Sequence, residues 1–155
     1  MGLMFRIAAV ALALVVPIGG ARAQLKKSDT VVKAEASADA IAADNTQGVT
    51  ITLSIDKGWH NYANPVENAD LTDTQTTVTV TSKNKLEDVK VTYPGGTLVK
   101  DKVVGDYRTY EGKVTIKATV HRAKGDTEPL EVTVKLQACS TATCLAPATI
   151  KLTAK

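Results

Sequence analysis

Leu130-Glu131-Val132-Thr133-Val134-Lys135-Leu136, continued by Gln137-Ala138-Cys139, alternates apolar and polar residues one by one. A period of two marks a strand that buries one face and wets the other, because successive side chains leave an extended backbone on opposite sides. The pattern recurs outward from this stretch. Val114, Ile116, Ala118 and Val120 interleave with Lys113, Thr115, Lys117 and Thr119, and Val49, Ile51, Leu53 and Ile55 interleave with Thr50, Thr52, Ser54 and Asp56. Val78 and Val80 sit between threonines, Ile150 and Leu152 mark a short final strand, and residues 31–35, 89–93 and 98–104 supply shorter runs. Asp56-Lys57-Gly58, Pro94-Gly95-Gly96 and Lys124-Gly125-Asp126 are the turn signals between them. Seven or eight strands at this spacing predict an all-β chain, an antiparallel sandwich of immunoglobulin-like type. The alanine-rich residues 34–43 are expected to add at most a turn of helix.

The N-terminal residues read as a signal peptide. Arg6 supplies the positive charge, the apolar run 7–18 is interrupted only by Pro17 near its end, and Ala21-Arg22-Ala23 before Gln24 is a small-x-small cleavage site. Cleavage would leave residues 24–155, a length that suits one domain with one core. No later stretch approaches the roughly 20 apolar residues of a membrane helix, so a soluble, exported, monomeric domain is expected. Arg6 and Arg22 depart with the leader, so of 19 basic and 16 acidic residues the mature chain keeps 17 and 16. That balance, with lysines dispersed among acidic residues and threonines, argues against a nucleic-acid partner, which requires a clustered basic face.

Cys139 and Cys144 are the only cysteines. In an oxidising compartment a disulfide between them is the expected state, and it is either structural or reactive. A loop of six residues gains only about 2 kcal/mol from closure, against nearly 5 for a loop of 100, so stability alone is a weak reason for this bond. Continuing the parity of residues 130–136 places Ala138 on the buried side and Cys139 on the exposed side, where a partner's thiolate could reach it. A local staple closing a strand-to-strand loop fits the spacing equally well. Metal binding is disfavoured, since His60 and His121 lie outside ligand spacing and read as surface or strand-end residues, and both methionines leave with the leader. No cofactor is implied, and no nucleophile-base pair, paired acids or glycine-rich phosphate loop is present.

The residues around the pair carry a more specific signal. Gln137-Ala138-Cys139-Ser140-Thr141-Ala142-Thr143-Cys144-Leu145-Ala146-Pro147 resembles the Q-A-C-x4-C-L-x-P signature of the N-terminal domain family of DsbD, the thiol:disulfide interchange protein. Gly58-Trp59-His60-Asn61-Tyr62-Ala63-Asn64-Pro65 resembles that family's G-W-H-x-Y-x-N-P segment, and Tyr93-Pro94 and Tyr110-Glu111-Gly112 follow in the expected order. The resemblance covers residues 49–155 and implies an immunoglobulin-like sandwich, here as a free-standing exported protein.

It also implies a redox pair that takes electrons from a thioredoxin-like or membrane disulfide reductase and passes them to exported disulfide-containing acceptors. Cys139 is then expected to attack and Cys144 to resolve. A cap loop is implied at Asp101, Lys102, Val103 and Val104, ending at Gly105. Two departures stand out: valines occupy the loop where an aromatic residue usually shields the disulfide, and Ala146 stands where a first of two prolines is commoner. Tyr107 and Tyr110 could supply the cover or be ordinary strand and turn aromatics, and Trp59 and Tyr62 read as core and sheet-edge residues. The alternative function is a binding or assembly module on the same sandwich with an inert disulfide.

Overall fold

A computed structural model describes residues 26–154, so the expected leader, residues 1–23, lies outside the described residues. In chain order the strands are β1 (Val32–Ala38), β2 (Thr46–Ile55), β3 (His60–Tyr62), β4 (Thr77–Ser82), β5 (Asp88–Thr92), β6 (Thr97–Val99), β7 (Tyr107–Tyr110), β8 (Lys113–His121), β9 (Leu130–Leu136), β10 (Ala138–Cys139) and β11 (Ala148–Ala154). Two short 3-10 helices, Ser28–Thr30 and Ala69–Thr74, are the helical elements among the described residues. The strands form antiparallel sheets in the orders β1-β2-β8-β5, β11-β9-β4 and β10-β3-β7-β6. The chain is an all-β, immunoglobulin-like sandwich.

The alternation decides which residues form the core. Ile51 and Leu53 of β2 face Ile116 and Val114 of β8 in register, and Ile51, Leu53 and Ile116 are completely buried. Val132 and Val134 of β9 are equally buried and stand beside Leu152 and Ile150 of β11. Burying side chains of this size contributes roughly 1.5–3 kcal/mol each, which is why the pattern rather than local propensity fixes the register.

Eight of the strands are those that the alternation marks. β3, β7 and β10 are additional, and at two to four residues each they are too short to show a period. Residues 34–43 do not form a turn of helix. Ala34, Ala36 and Ala38 share one parity with Lys33, Glu35 and Ser37 on the other, so β1 continues to Ala38 and its alanines pack on the core. The expected run 98–104 also ends early, at Val99, because the Asp101 carboxylate accepts the Val103 and Val104 amides at 2.7 and 3.0 Å and turns the chain.

Candidate functional site

The small sheet β10-β3-β7-β6 carries the cysteine pair at its edge. Cys139 lies opposite His60, Tyr62 opposite Thr109, and Tyr107 opposite Val99. Residues directly opposite in antiparallel strands share a face, so Cys139, His60, Tyr62, Tyr107 and Thr109 stand together on one side of this sheet. Ala138, Asn61 and Tyr110 occupy the other. Tyr110 is thereby turned away from the sulfurs: its hydroxyl donates to the Pro94 carbonyl at 2.8 Å.

Cys139 and Cys144 are disulfide-bonded. Their exposures differ sharply: Cys139 is 2% exposed and Cys144 lies open to solvent. The expected parity therefore fails at Cys139. β9 stops at Leu136, and after Gln137 the chain crosses to a different sheet, where Ala138 and Cys139 pair with β3 and both become buried. A parity count holds only within one continuous strand. The residue that the count exposes is instead covered, and the exposed cysteine is Cys144, at the end of the turn.

Tyr62 provides cover. Its hydroxyl lies 3.8 Å from Cys139 Sγ, and with the sulfur in a disulfide only the phenol can donate in that contact. Its ring packs against Tyr107 at 5.8 Å between centroids and edge-on to His60 at 6.2 Å. Burial raises the Tyr62 pKa above the usual tyrosine value, with Tyr107 adding to the rise, so the phenol stays protonated at neutral pH. Burial lowers the pKa of His60, and the negative charge of Glu111 partly opposes the shift. The Tyr62 role was hidden because a Tyr two residues from a His in a three-residue strand carries no spacing signal of its own. Trp59 packs against the core, and Tyr110 belongs to the core cluster itself.

His60 begins β3 and His121 ends β8 on another sheet, where His121 pairs with Glu87 at 2.6 Å. The structure brings His60 to the cysteines and leaves His121 apart from them. The segment expected as a cap, Asp101 to Val104, is held by Asn68, whose side-chain amide donates to the Val104 and Asp106 carbonyls at 2.8 and 3.2 Å. Val103 is 92% exposed and Val104 47%, so in this conformation Val103 shields nothing.

The turn between the cysteines is built by Ser140. Its Oγ accepts the Ala142 and Thr143 amides, each at 3.2 Å, and its backbone N–H donates to the Thr143 carbonyl at 2.8 Å. At the base of the loop Leu145 N–H donates to the Ala138 carbonyl at 2.9 Å, and the Gln137 side chain donates to the Leu145 carbonyl at 3.1 Å. Beneath these bonds sits Ser28, completely buried. Its hydroxyl accepts the Ala138 N–H at 2.9 Å and donates to the Ala146 carbonyl at 2.8 Å. Sequence reasoning had no access to Ser28, which lies 110 residues from Ala138.

Residues 28–154 match the family described as thiol:disulfide interchange protein DsbD, N-terminal. No curated protein matches the sequence. Among solved structures, the N-terminal periplasmic domain of ScsB from Proteus mirabilis is similar at 18% identity and a TM-score of 0.56, covering 90% of this chain. This chain spans about half of that one, 49%. The DsbD N-terminal domain of Neisseria meningitidis in the reduced form is 16% identical over 81% of this chain and 85% of that one, with a TM-score of 0.52. The same score is reached at 17% identity, over 79% of this chain and 80% of that one, in the complex between the DsbD N-terminal and PilB N-terminal domains from the same organism.

Proposed function

This chain belongs to the family of the N-terminal domain of the thiol:disulfide interchange protein DsbD, and from that premise we propose that it relays electrons between proteins through Cys139 and Cys144. The observation that carries the reading is the asymmetry of the pair: Cys144 is exposed beside the turn, and Cys139 is buried with the Tyr62 hydroxyl against its sulfur. Thiol exchange requires access to a sulfur, and of the two cysteines only Cys144 is exposed.

From that asymmetry we infer the opposite order to the one implied by the resemblance, with Cys144 attacking and Cys139 resolving. In the reduced form the Cys144 thiolate attacks the acceptor's disulfide, forming a mixed disulfide and releasing the acceptor's second sulfur as a thiolate that takes up a proton. The Cys139 thiolate then attacks Cys144 Sγ, restoring the internal bond and releasing the acceptor as a dithiol. Two electrons pass, and the donor reaction is the same sequence in reverse. A thioredoxin-like partner domain is supported by the solved complex of the Neisseria DsbD and PilB N-terminal domains, and a thioredoxin-like or membrane disulfide reductase is the proposed donor. Exported disulfide-containing acceptors, residues 1–23 as a leader, a mature monomer of residues 24–155 and a periplasmic setting complete the proposal, the last supported by the periplasmic Proteus relative. The segment from Asp101 to Val104 remains the proposed cap.

Trapping tests the reading. Cys139→Ser, incubated with an oxidised thioredoxin-like domain, should accumulate a mixed disulfide through Cys144, and Cys144→Ser should accumulate far less. The wild-type pair should equilibrate with glutathione buffers between roughly −120 and −270 mV. A potential well below about −300 mV with no trapped species would leave an inert staple on a binding module.

A further inference from the structure

The cysteine loop is held from outside by the segment that precedes β1. Ser28 Oγ accepts from Ala138 N–H, one residue before Cys139, and donates to the carbonyl of Ala146, two residues after Cys144. Ser28 N–H also donates to the Ala146 carbonyl at 2.9 Å, and Ala146 N–H donates to the Lys26 carbonyl at 3.1 Å. Lys27 and Ala146 thereby form a parallel bridge. One completely buried hydroxyl thus ties both ends of the loop together. The Ala146 donor exists only because this chain departs from the double proline of the signature it resembles, since proline has no N–H.

We propose that Ser28 is a positioning residue for the redox pair: with the Lys26 to Ser28 segment it clamps the loop ends in both redox states and so sets the reduction potential of the Cys139 to Cys144 disulfide. This rests on the reading that the pair cycles between its two forms. When the disulfide accepts two electrons and two protons, the covalent tie between the loop ends is lost and the clamp remains. Two thiols kept side by side re-form their bond more readily than two on a relaxed loop, the same effective-concentration argument that governs any intramolecular closure. Without the Ser28 hydroxyl the reduced loop can relax around its loss, while the oxidised loop, fixed by its bond, cannot. Disulfide formation becomes less favourable, and the potential becomes less negative.

The experiment titrates wild type, Ser28→Ala and Ala146→Pro against glutathione buffers and measures urea unfolding of each protein in both redox states. Ala146→Pro removes one backbone donor and keeps the Ser28 hydroxyl. Ser28→Ala should lower the equilibrium constant for disulfide formation threefold to tenfold, a shift of roughly 15–30 mV toward less negative values, with a smaller shift in the same direction for Ala146→Pro. Because the unfolded chain does not sense the clamp, the stability gap between oxidised and reduced protein must narrow by the free energy equivalent to that fold-change. Equal destabilisation of both forms with an unmoved potential makes Ser28 merely structural and overturns the proposal. If Ser28→Ala does not fold, Ala146→Pro alone decides: an unchanged potential overturns the clamp. The wild-type value tests the relay separately, since a potential well below about −300 mV removes the relay whatever the variants do.

Discussion

Reducing the disulfide should weaken this protein without unfolding it. The bond joins residues five apart in sequence, so it closes a short loop. Chain entropy for about six residues gives roughly 2 kcal/mol at 25 °C. The completely buried side chains Ile51, Leu53, Ile116, Val132 and Val134 lie on β2, β8 and β9, outside the loop. The loop base also keeps its bonds from Leu145 N–H to the Ala138 carbonyl and from Gln137 to Leu145 when the sulfurs separate. With a urea m-value of about 2 kcal/mol/M, the midpoint should fall by about 1 M on reduction, with m unchanged. Equilibrium unfolding with and without dithiothreitol, followed by the fluorescence of the single Trp59 and in parallel by far-UV circular dichroism, measures it. Coincident, cooperative curves about 1 M apart are expected. Loss of the cooperative transition on reduction, or a drop of several molar, would refute the reasoning and make the bond a structural staple.

Gly96→Ala should cost on the order of 1–3 kcal/mol by overpacking, because the added Cβ would meet the Ala63 Cβ at 2.5 Å and the Thr109 carbonyl oxygen at 2.9 Å. Gly95→Ala, with nothing within 4 Å, is its control and should unfold at close to the wild-type urea concentration. His60, whose folded pKa is depressed by burial from the ordinary 6.5, makes stability fall as the pH is lowered. Below about pH 6.5 the unfolded chain takes up a proton that the folded one resists, so stability present above that pH is lost as pH drops through the depressed value. His60→Gln should flatten the loss between pH 7.5 and 5.5 in urea titrations, and an equally steep loss in the variant would show that other groups govern it.

The long strands were legible because each keeps one buried parity over seven to ten residues, as β2 and β9 do. The site was legible as chemistry, through two cysteines and the residues flanking them, and only partly as geometry. Cys139 was misplaced because a single unpaired residue, Gln137, separates β9 from β10, and a parity count cannot register a change of sheet. His60 comes opposite Cys139, and the Tyr62 hydroxyl reaches its sulfur, because β3 pairs with the two-residue β10, an arrangement set by the fold rather than by any local pattern. Ser28 depends on a contact more than a hundred residues away, which no periodicity reports.

Having only one of its two cysteines exposed constrains traffic as well as chemistry. A carrier with two open faces could hold its donor and its acceptor at once; one that offers only Cys144 serves them in turn, through the same doorway. In the proposed relay, turnover is then ping-pong, each partner inhibits the other at high concentration, and one ligand covering the turn silences loading and unloading together.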